Sequence, residues 1–413
     1  MVGMSGKRGN GEGSIYPYRN GGFAAYVWVT TPDGRRKRKY VYGKTRPEVH
    51  EKWLKLHNEA KKGPLPTRHR TVAAFLDYWL ESIVKPNLAP LSYVSYEGCA
   101  RLYIVPHLGT KRLDKLTVRD VREWLTKLAS TCQCCAQRKD AKRSPSRQKC
   151  CAVGECCESY ASRRVIQAAR DALRAALTHA VTEEEIAKNV ASLVKVPKPR
   201  RRRVKPWSVA EAGKFLADAA DRDDPLFAAW VLVLSLGLRR GEVLGLTWDS
   251  IDFENGELYV DHQIQRAGRE ILYRETKTEE SDDFLPLPSL CLRALRMRRA
   301  QQTGDRKAAG DLWQDSRGLV FTTKYGTPIE PGNLTRMFAL RARRAGLRVI
   351  PLRNTRHTCS SLLVALGVHP KVAQRILRHS QIAITMEVYA EASDEEVRAA
   401  LGKLSDAMGG TSG

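Results

Sequence analysis

The sequence predicts a multidomain, mainly α-helical protein: an N-terminal three-stranded β-sheet plus helix, an all-α domain, and a mixed α+β C-terminal domain. The chain has 413 residues, and about 150 residues per domain suggests three domains. Apolar residues recur with a period of two near the start, with a helical period in the middle, and with both periods towards the end. We place the domains at 1–66, 67–198 and 206–413, with a linker at 199–205.

Short segments rich in aromatic and β-branched residues form the predicted N-terminal sheet. The three segments are Ser14–Tyr18, Phe23–Thr30 and Arg36–Tyr42. Asn20-Gly21-Gly22 and Pro32-Asp33-Gly34 separate them and suit tight hairpins. Period-two alternation places two aromatic pairs on shared faces, namely Tyr26 with Trp28 and Tyr40 with Tyr42. A basic amphipathic helix is predicted at Arg46–Lys61.

The charge balance favours a polyanionic partner. The chain carries 70 Lys+Arg against 45 Asp+Glu, a formal net charge of +25, and residues 1–63 alone hold 14 against 5. Basic side chains that neutralise phosphates release condensed counterions, which drives binding. We interpret the sheet as an element that enters a DNA groove, and a solubilising module is the alternative. The residues expected near phosphates are Arg35, Arg36, Lys37, Arg38 and Lys39.

The second domain shows helical periodicity. Thr71 is a predicted N-cap, and the helix after it buries Val72, Phe75, Leu76, Trp79 and Leu80. Further helices are predicted at Leu91–Val105, Val118–Leu128 and Ala161–Val181. The last of them carries an apolar stripe formed by Ile166, Ala169, Leu173 and Leu177.

A cysteine-rich insertion at 131–158 interrupts this domain. Its cysteines are Cys132, Cys134, Cys135, Cys150, Cys151, Cys156 and Cys157. The N-terminus has no apolar signal segment, so a reducing cytoplasm is expected, where metal binding explains clustered thiols better than disulfides do. We predict a structural zinc site. A metal-free, oxidation-prone loop and a redox sensor are the alternatives, because seven thiols exceed the four ligands of one ion.

The linker contains four consecutive arginines, Arg200, Arg201, Arg202 and Arg203, after a proline-containing stretch. Their mutual repulsion favours an extended chain. It is either a flexible connection or a segment that lies along a DNA backbone. A membrane span is not expected, because the longest apolar run, Leu226–Leu238, is shorter than the ~18–20 residues that a bilayer requires.

The C-terminal domain combines an apolar helix, a small sheet and several charged motifs. The helix is predicted at Pro225–Leu238, and Arg239-Arg240-Gly241-Glu242 follows it directly. A three-stranded meander is predicted from Glu257–Ile264, Glu270–Arg274 and Asp283–Leu287, with Lys277 in the turn before the last strand. The later motifs are Arg353-Asn354-Thr355-Arg356-His357, which opens a helix with Leu362, Leu363 and Leu366 buried, then Leu377-Arg378-His379-Ser380, then Tyr389. A final helix is predicted at 393–408.

The order and context of these motifs resemble the catalytic domain of tyrosine recombinases, the lambda-integrase-like phage integrases. More loosely, the first two domains resemble the arm-type DNA-binding domain and the helical core-binding domain of that family. The resemblance implies an enzyme whose Tyr389 attacks a DNA phosphodiester and forms a 3′-phosphotyrosine. It also implies that Arg239 and Arg356 clamp the phosphate, that Lys277 protonates the departing 5′ oxygen, and that His379 donates to the phosphate. Glu242 is then expected to orient the cationic cluster.

One position departs from the family pattern. The family has a histidine three residues before the second arginine, and Arg353 stands there in this chain. A guanidinium, with a pKa above about 12, is a poor general base. Arg353 therefore adds a third cation to the phosphate clamp, or His357 serves as the proton acceptor.

The resemblance favours an integrase of a phage or other mobile element, since Xer-like cellular resolvases generally lack the basic N-terminal module. A Xer-like cellular resolvase and a catalytically silent DNA-binding regulator are the alternatives. The implied partners are double-stranded DNA attachment sites of core and arm type, a homo-tetramer on DNA, and an excisionase that controls direction. No cofactor is expected for catalysis, and the expected location is the cytoplasm, on the nucleoid.

Overall fold

The structure is a computed structural model in which residues 15–19, 21–31, 34–63, 70–197, 204–276, 284–314, 317–378 and 381–389 are described. The chain divides into two compact units, Met1–Arg200 and Arg201–Gly413. Among the described residues, no helix combines the length and the apolarity needed to cross a bilayer.

The N-terminal sheet forms as predicted. Its antiparallel strands lie in the order β1 (Tyr16–Tyr18), β2 (Gly22–Thr30) and β3 (Arg36–Gly43). Helix α1 (Arg46–Lys62) begins after the N-cap Thr45 and packs on one face of the sheet. The small core between them contains Ala25, Val27, Val29, Val49, Trp53 and Leu56. Ser14, which we predicted to start the first strand, lies outside the described residues.

The second domain is all helical, as predicted. Its helices are α2 (Val72–Tyr78), α3 (Lys85–Asn87), α4 (Pro90–Cys99), α5 (Val105–Leu108), α6 (Val118–Ser130), α7 (Gln133–Ala136) and α8 (Arg163–Thr182). π-helical turns at Trp79–Val84 and Ala100–Ile104 join α2 to α3 and α4 to α5. The helix predicted at Leu91–Val105 is thus a longer helical segment that runs from Pro90 to Leu108.

The predicted N-cap and apolar faces of this domain are confirmed. The Thr71 hydroxyl accepts a hydrogen bond from the Ala74 N–H at 3.2 Å. The residues predicted to be buried after Thr71 and on the stripe of α8 all belong to one core, to which α6 contributes Val121, Trp124 and Leu128. Burial of large apolar side chains at about 1.5–3 kcal/mol each is the main source of stability here.

The C-terminal unit is a mixed α+β domain built around the apolar helix α10 (Phe227–Ser235). Its other helices are α9 (Val209–Asp221), α11 (Arg240–Gly245), α12 (Ser289–Ala309), α13 (Pro331–Arg344), α14 (Thr355–Ala365), α15 (Pro370–Leu377) and α16 (Ile382–Tyr389). Helix α10 packs against α9, α12 and α14, so its sides are covered. Four aromatic rings fill the adjoining core, those of Trp207, Phe215, Trp230 and Phe338.

The predicted three-stranded meander is wrong. The strands are β4 (Ile251–Asp252), β5 (Glu257–Tyr259), β6 (His262–Ala267), β7 (Glu270–Glu275) and β8 (Phe284–Pro286). They form a sheet in the order β4-β5-β8 and a separate β6-β7 hairpin. The predicted strand Glu257–Ile264 breaks at Val260, which is fully buried, and its second half pairs within the hairpin. The predicted start of the last strand, Asp283, lies outside the described residues.

Helix α14 buries its first half, and the predicted apolar face is not buried along its whole length. Leu362 packs against the core, but Leu366 follows the end of the helix and is 72% exposed. The buried positions are instead Thr355, Thr358, Cys359 and Ser360. These small side chains allow α14 to approach α10, where the Cys359 thiol donates to the Ser235 carbonyl.

Candidate active site

The first arginine of the predicted clamp lies where α10 gives way to α11. Arg239 is the N-cap of α11, and its backbone N–H donates to Glu242 Oε2 at 2.7 Å. Its guanidinium Nη1 donates to Glu242 Oε1 at 2.6 Å. The Arg239 side chain remains 51% exposed, whereas the Glu242 side chain is buried. One face of Arg239 is therefore held by a fixed carboxylate, and the rest faces solvent.

Glu242 also binds a second arginine. Arg378, at the end of α15, donates from Nη2 to Glu242 Oε2 at 2.6 Å, and both side chains are buried. Burial alone would raise the pKa of Glu242, but the positive charges of Arg378 and Arg239 outweigh it and hold the pKa below its usual value. Glu242 is therefore an anion at neutral pH, and it links α11 to the end of α15.

The second predicted clamp residue is anchored by backbone carbonyls. Arg356, in the first turn of α14, donates from Nη1 to the Gly237 carbonyl at 3.0 Å. Its Nη2 donates to the carbonyls of Leu377 and Arg378. Burial, with the like charge of Arg239 as a second cause, lowers the pKa of Arg356 to about 10. Arg356 stays positive at neutral pH. Because the charge of Arg239 lowers the pKa of Arg356, the two guanidiniums lie close enough to interact electrostatically.

Gly237 allows the chain after α10 to lie close to the side chains of Arg356 and Leu377. It has a left-handed backbone with φ +61°, and a Cβ there would lie 2.7 Å from Leu377 Cδ2 and 3.4 Å from Arg356 Cγ. Glycine tolerates both the conformation and the contact. Sequence reasoning did not single out Gly237, although a glycine between an apolar helix and an arginine pair is a signal that could have found it.

Two further glycines position the β6-β7 hairpin. A Cβ on Gly241 would lie 2.8 Å from the Ile264 carbonyl oxygen, and one on Gly245 would lie 2.7 Å from Gln263 Cα. Because these glycines are one helical turn apart, α11 presents a flat face to β6. The hairpin leads through Thr276 directly to Lys277, and Lys277 itself lies outside the described residues.

Arg378 is a second residue that sequence reasoning missed. Its backbone is left-handed, with φ +50°, a conformation that costs a non-glycine residue about 1–2 kcal/mol. Its buried ion pair with Glu242 holds the side chain in place. The partners are 136 positions apart in the chain, so no local pattern identifies the pair.

The structure describes only some of the remaining predicted site residues. Arg353 is exposed in the 3₁₀ turn Leu352–Asn354 before α14, and His357 is half-buried in that helix. Tyr389 is the last residue of α16, a helix that packs against α14 and α15, and its side chain is not described. The helix that bears Tyr389 therefore contacts the helix that bears Arg356. His379, Arg200 to Arg203 and the predicted final helix lie outside the described residues.

The N-terminal sheet carries an exposed aromatic and basic face. Cross-strand pairing places Tyr26 opposite Tyr40 and Trp28 opposite Arg38, so these side chains share one face. The Arg38 guanidinium lies 4.9 Å from the ring centre of Tyr26 and 4.8 Å from that of Trp28. Arg36 lies 5.7 Å from the Trp28 ring. The predicted sharing of faces by the aromatic residues is confirmed.

Alternation along β3 places the side chains of the basic run on two opposite faces of the sheet. Arg36 and Arg38 alternate with Lys37 and Lys39, whose cross-strand partners are Val29 and Val27 of the buried face. Arg35 precedes the strand, and its backbone carbonyl accepts hydrogen bonds from Thr31. Only Arg36 and Arg38 therefore share the aromatic face.

The seven cysteines of the insertion converge, and we call them the cysteine cluster. Two sets of four thiol sulfurs each lie within 4.8 Å of one another, an arrangement able to hold a structural metal ion such as zinc. The first set is Cys132, Cys135, Cys151 and Cys156, and the second is Cys134, Cys150, Cys151 and Cys157.

Comparison with known proteins shows which protein family has this architecture. The phage integrase family model matches residues 213–396, and the model of the phage integrase N-terminal SAM-like domain matches residues 71–129. A "Tyrosine recombinase XerC-like" protein of Caldanaerobacter subterraneus subsp. tengcongensis is 27% identical, over 92% of this chain and 96% of that protein. An "Integrase" of Streptomyces ambofaciens is also 27% identical, over 94% of each chain.

A solved structure shares the fold. The Tn1549 transposon integrase in complex with a circular intermediate DNA aligns with a TM-score of 0.61 at 22% identity, over 81% of this chain and 99% of that one. The two family models together match more than half of the chain, in the order in which the helical domain and the C-terminal domain occur. The chain belongs to the phage integrase family of tyrosine recombinases.

Proposed function

We propose that this protein is a site-specific DNA recombinase that cleaves and rejoins DNA through a 3′-phosphotyrosine at Tyr389, to integrate and excise a mobile element. The observation that carries the proposal is the cluster of Arg239, Glu242 and Arg356 in a tyrosine recombinase fold. The helix that ends in Tyr389 packs on the helix that bears Arg356.

The charge of the cluster suits phosphoryl transfer. Attack on a phosphodiester increases the negative charge on its non-bridging oxygens, and fixed guanidiniums stabilise that charge without reorganising. Arg356 is held by backbone carbonyls and Arg239 by Glu242, so both cations are positioned before substrate arrives. Arginine suits this role better than lysine because its planar fork binds two oxygens at once.

The remaining roles follow the family pattern. In the proposed reaction, Tyr389 Oη bonds to phosphorus, the bond from phosphorus to the 5′ oxygen breaks, and Lys277 protonates that oxygen. His379 donates to the phosphate, and exposed Arg353 supplies a third positive charge. Solvent takes the tyrosine proton, with His357 as the alternative acceptor. The phosphotyrosine conserves the bond energy, so religation needs no ATP.

The proposed partners are double-stranded attachment sites of core and arm type, a homo-tetramer assembled on DNA, and an excisionase. The basic segment formed by Arg200, Arg201, Arg202 and Arg203 is proposed to lie along the DNA backbone. The relative from Streptomyces ambofaciens is called an integrase, which favours the mobile-element role. The XerC-like relative favours a cellular resolvase as the second candidate.

We expect the wild-type protein to form a denaturation-resistant adduct with a nicked suicide duplex that contains its core site. Tyr389→Phe is expected to abolish the adduct while it retains DNA binding, because only the attacking oxygen is lost. Gel electrophoresis with end-labelled DNA measures both. An adduct of undiminished yield with the phenylalanine variant would rule out Tyr389, and no adduct with either protein would favour the silent regulator.

The sheet face offers a test of arm-type recognition. Arg36→Ala/Arg38→Ala is expected to weaken binding to arm-site DNA and to lower the slope of log K against log salt by about 2, since each lost phosphate contact removes nearly one unit. Lys37→Ala/Lys39→Ala is the matched control, because it removes the same charge from the other face. Equal losses in both variants would contradict a role for the aromatic face, and core-site cleavage is expected to survive in both.

A further inference from the structure

We propose that the cysteine cluster binds two zinc ions, with Cys151 as a thiolate that bridges them. This goes beyond a single structural site and does not depend on the proposed recombinase activity. The two sets of four sulfurs share one member, Cys151. Two tetrahedral ions that share one ligand require seven thiolates, which is the number in the insertion.

The sulfur separations agree with this arrangement. A Zn–S bond of about 2.3 Å gives a tetrahedron whose sulfurs lie about 3.8 Å apart. In the first set, Cys135 and Cys156 are 3.7 Å apart and Cys132 and Cys151 are 3.9 Å apart. In the second set, the two pairs Cys134–Cys150 and Cys151–Cys157 are separated by 3.9 Å and 3.8 Å.

The same distances argue against other uses of the thiols. A disulfide requires sulfurs about 2.05 Å apart, and an odd number of cysteines cannot be fully paired. An iron–sulfur cluster holds its thiolates further apart, because inorganic sulfides lie between the irons. Tetrahedral sites made only of thiolates are typical of zinc.

The insertion has too little apolar core to fold by burial alone. None of the residues 131–158, all of them described, belongs to a hydrophobic core cluster. Its regular structure is limited to α7 and two short 3₁₀ turns, Pro145–Arg147 and Cys151–Val153. Small segments without a core generally need a metal or disulfides to stay folded. Zinc binding would supply that free energy.

Non-metal contacts already hold the two halves of the cluster in register. The buried carboxylate of Asp140 accepts from the backbone N–H groups of Lys149, Cys150 and Ala152 at 2.9–3.4 Å. An isolated antiparallel bridge between Cys132 and Tyr160 closes the insertion at its base. Asp140 thus fixes the loop that carries Cys150 and Cys151 without serving as a ligand itself.

Charge also favours the occupied state. Seven thiols release their protons to solvent when they bind two dications, which leaves the site net negative. The stretch between the two cysteine groups, residues 137–149, contains six Lys and Arg and one acid. Positive side chains close in sequence therefore compensate the charge of the site. Folding of this basic stretch is expected to depend on metal.

Metal analysis of the full chain, purified under reducing conditions, tests the stoichiometry. We expect two zinc ions per chain, and two again in the control Cys99→Ser, which alters a buried cysteine outside the cluster. Cys135→Ser should leave one tightly held ion, because the second set stays complete. Cys151→Ser should weaken both ions towards a chelator. One ion in the wild type, or equal effects of the two cluster variants, would overturn the proposal.

Two measurements on the wild-type sequence do not depend on how the variants fold. With cadmium in place of zinc, NMR is expected to show scalar coupling between the two metals through the shared sulfur. The exposed thiols Cys135, Cys156 and Cys157 should resist alkylation by N-ethylmaleimide until a chelator is added. Two uncoupled cadmium signals, immediate alkylation of these thiols, or disulfides found by mass spectrometry in the reduced preparation would contradict the bridged site.

Discussion

Arg356→Lys is expected to slow DNA cleavage by about 100-fold to 1000-fold, with little change in affinity for the core site. The lysine retains a positive charge but cannot reach the carbonyls of Gly237 and Leu377 and bind two phosphate oxygens together. Loss of one preorganised donor to a developing oxyanion typically costs a factor of this size. The measurement is single-turnover adduct formation on a suicide substrate with saturating protein.

The matched control is Arg222→Lys, at an exposed arginine that directly follows α9 and pairs with Asp218 in the same unit. It should cleave at the wild-type rate. A change in affinity equal to the change in rate would mean that Arg356 contributes uniform binding to the DNA and no specific stabilisation of the transition state. Thermal unfolding of each variant separates this result from a loss of folded protein.

Glu242→Ala is expected to destabilise the C-terminal domain by about 3–5 kcal/mol, because it leaves the buried Arg378 without its carboxylate. Arg239 would lose the contact that orients it, so cleavage should fall as well. Chemical denaturation measures the stability, provided that the domain unfolds in one transition.

Asp218→Ala is the matched control for Glu242→Ala, because Asp218 also bonds two arginines, Arg222 and Arg344, but both of these are exposed. Surface pairs contribute about 0–1 kcal/mol, so the control should lose little stability. Similar losses in both variants would contradict a special role for the buried carboxylate.

The effect of Glu242 should also depend on pH in a defined direction. Its pKa is lowered on folding, so its stabilising contribution is complete above the ordinary glutamate value of 4.5 and is lost as pH falls through the folded value. The stabilities of wild type and Glu242→Ala should therefore differ at neutral pH and converge only in acid.

The sequence predicts those parts of the site whose interacting residues lie close together in the chain. The N-cap Thr71 and the aromatic pairs of the N-terminal sheet follow from residues a few positions apart, and the structure confirms them. Arg239 and Glu242 also lie within one helical turn, so their pairing was accessible. Arg378 was missed because its partner Glu242 is distant in the chain.

The three-stranded meander of the C-terminal domain was predicted wrongly for a similar reason. Periodicity identified the extended segments of the C-terminal domain, but strand partners depend on what each segment packs against. Gly241 and Gly245 allow β6 to approach α11, and this contact separates the β6-β7 hairpin from the sheet that contains β5 and β8. The exposed position of Leu366 was missed because α14 ends one residue earlier than its leucine pattern suggests.

The cysteine cluster shows a different limit. The sequence gives the number of thiols but not which of them lie together, and the spacing fits no standard zinc finger. The convergence of two sets on Cys151 appears only when residues 132–135 and 150–157 meet in space.

Identification of the residue that carries DNA in the trapped wild-type adduct tests directly whether Tyr389 is the nucleophile. Protease digestion and mass spectrometry should find the nucleotide joined through its 3′ phosphate to the peptide that contains Tyr389, with a free 5′-hydroxyl on the released strand. Attachment to any other residue, or a 5′ phosphate linkage, would exclude a 3′-phosphotyrosine at Tyr389.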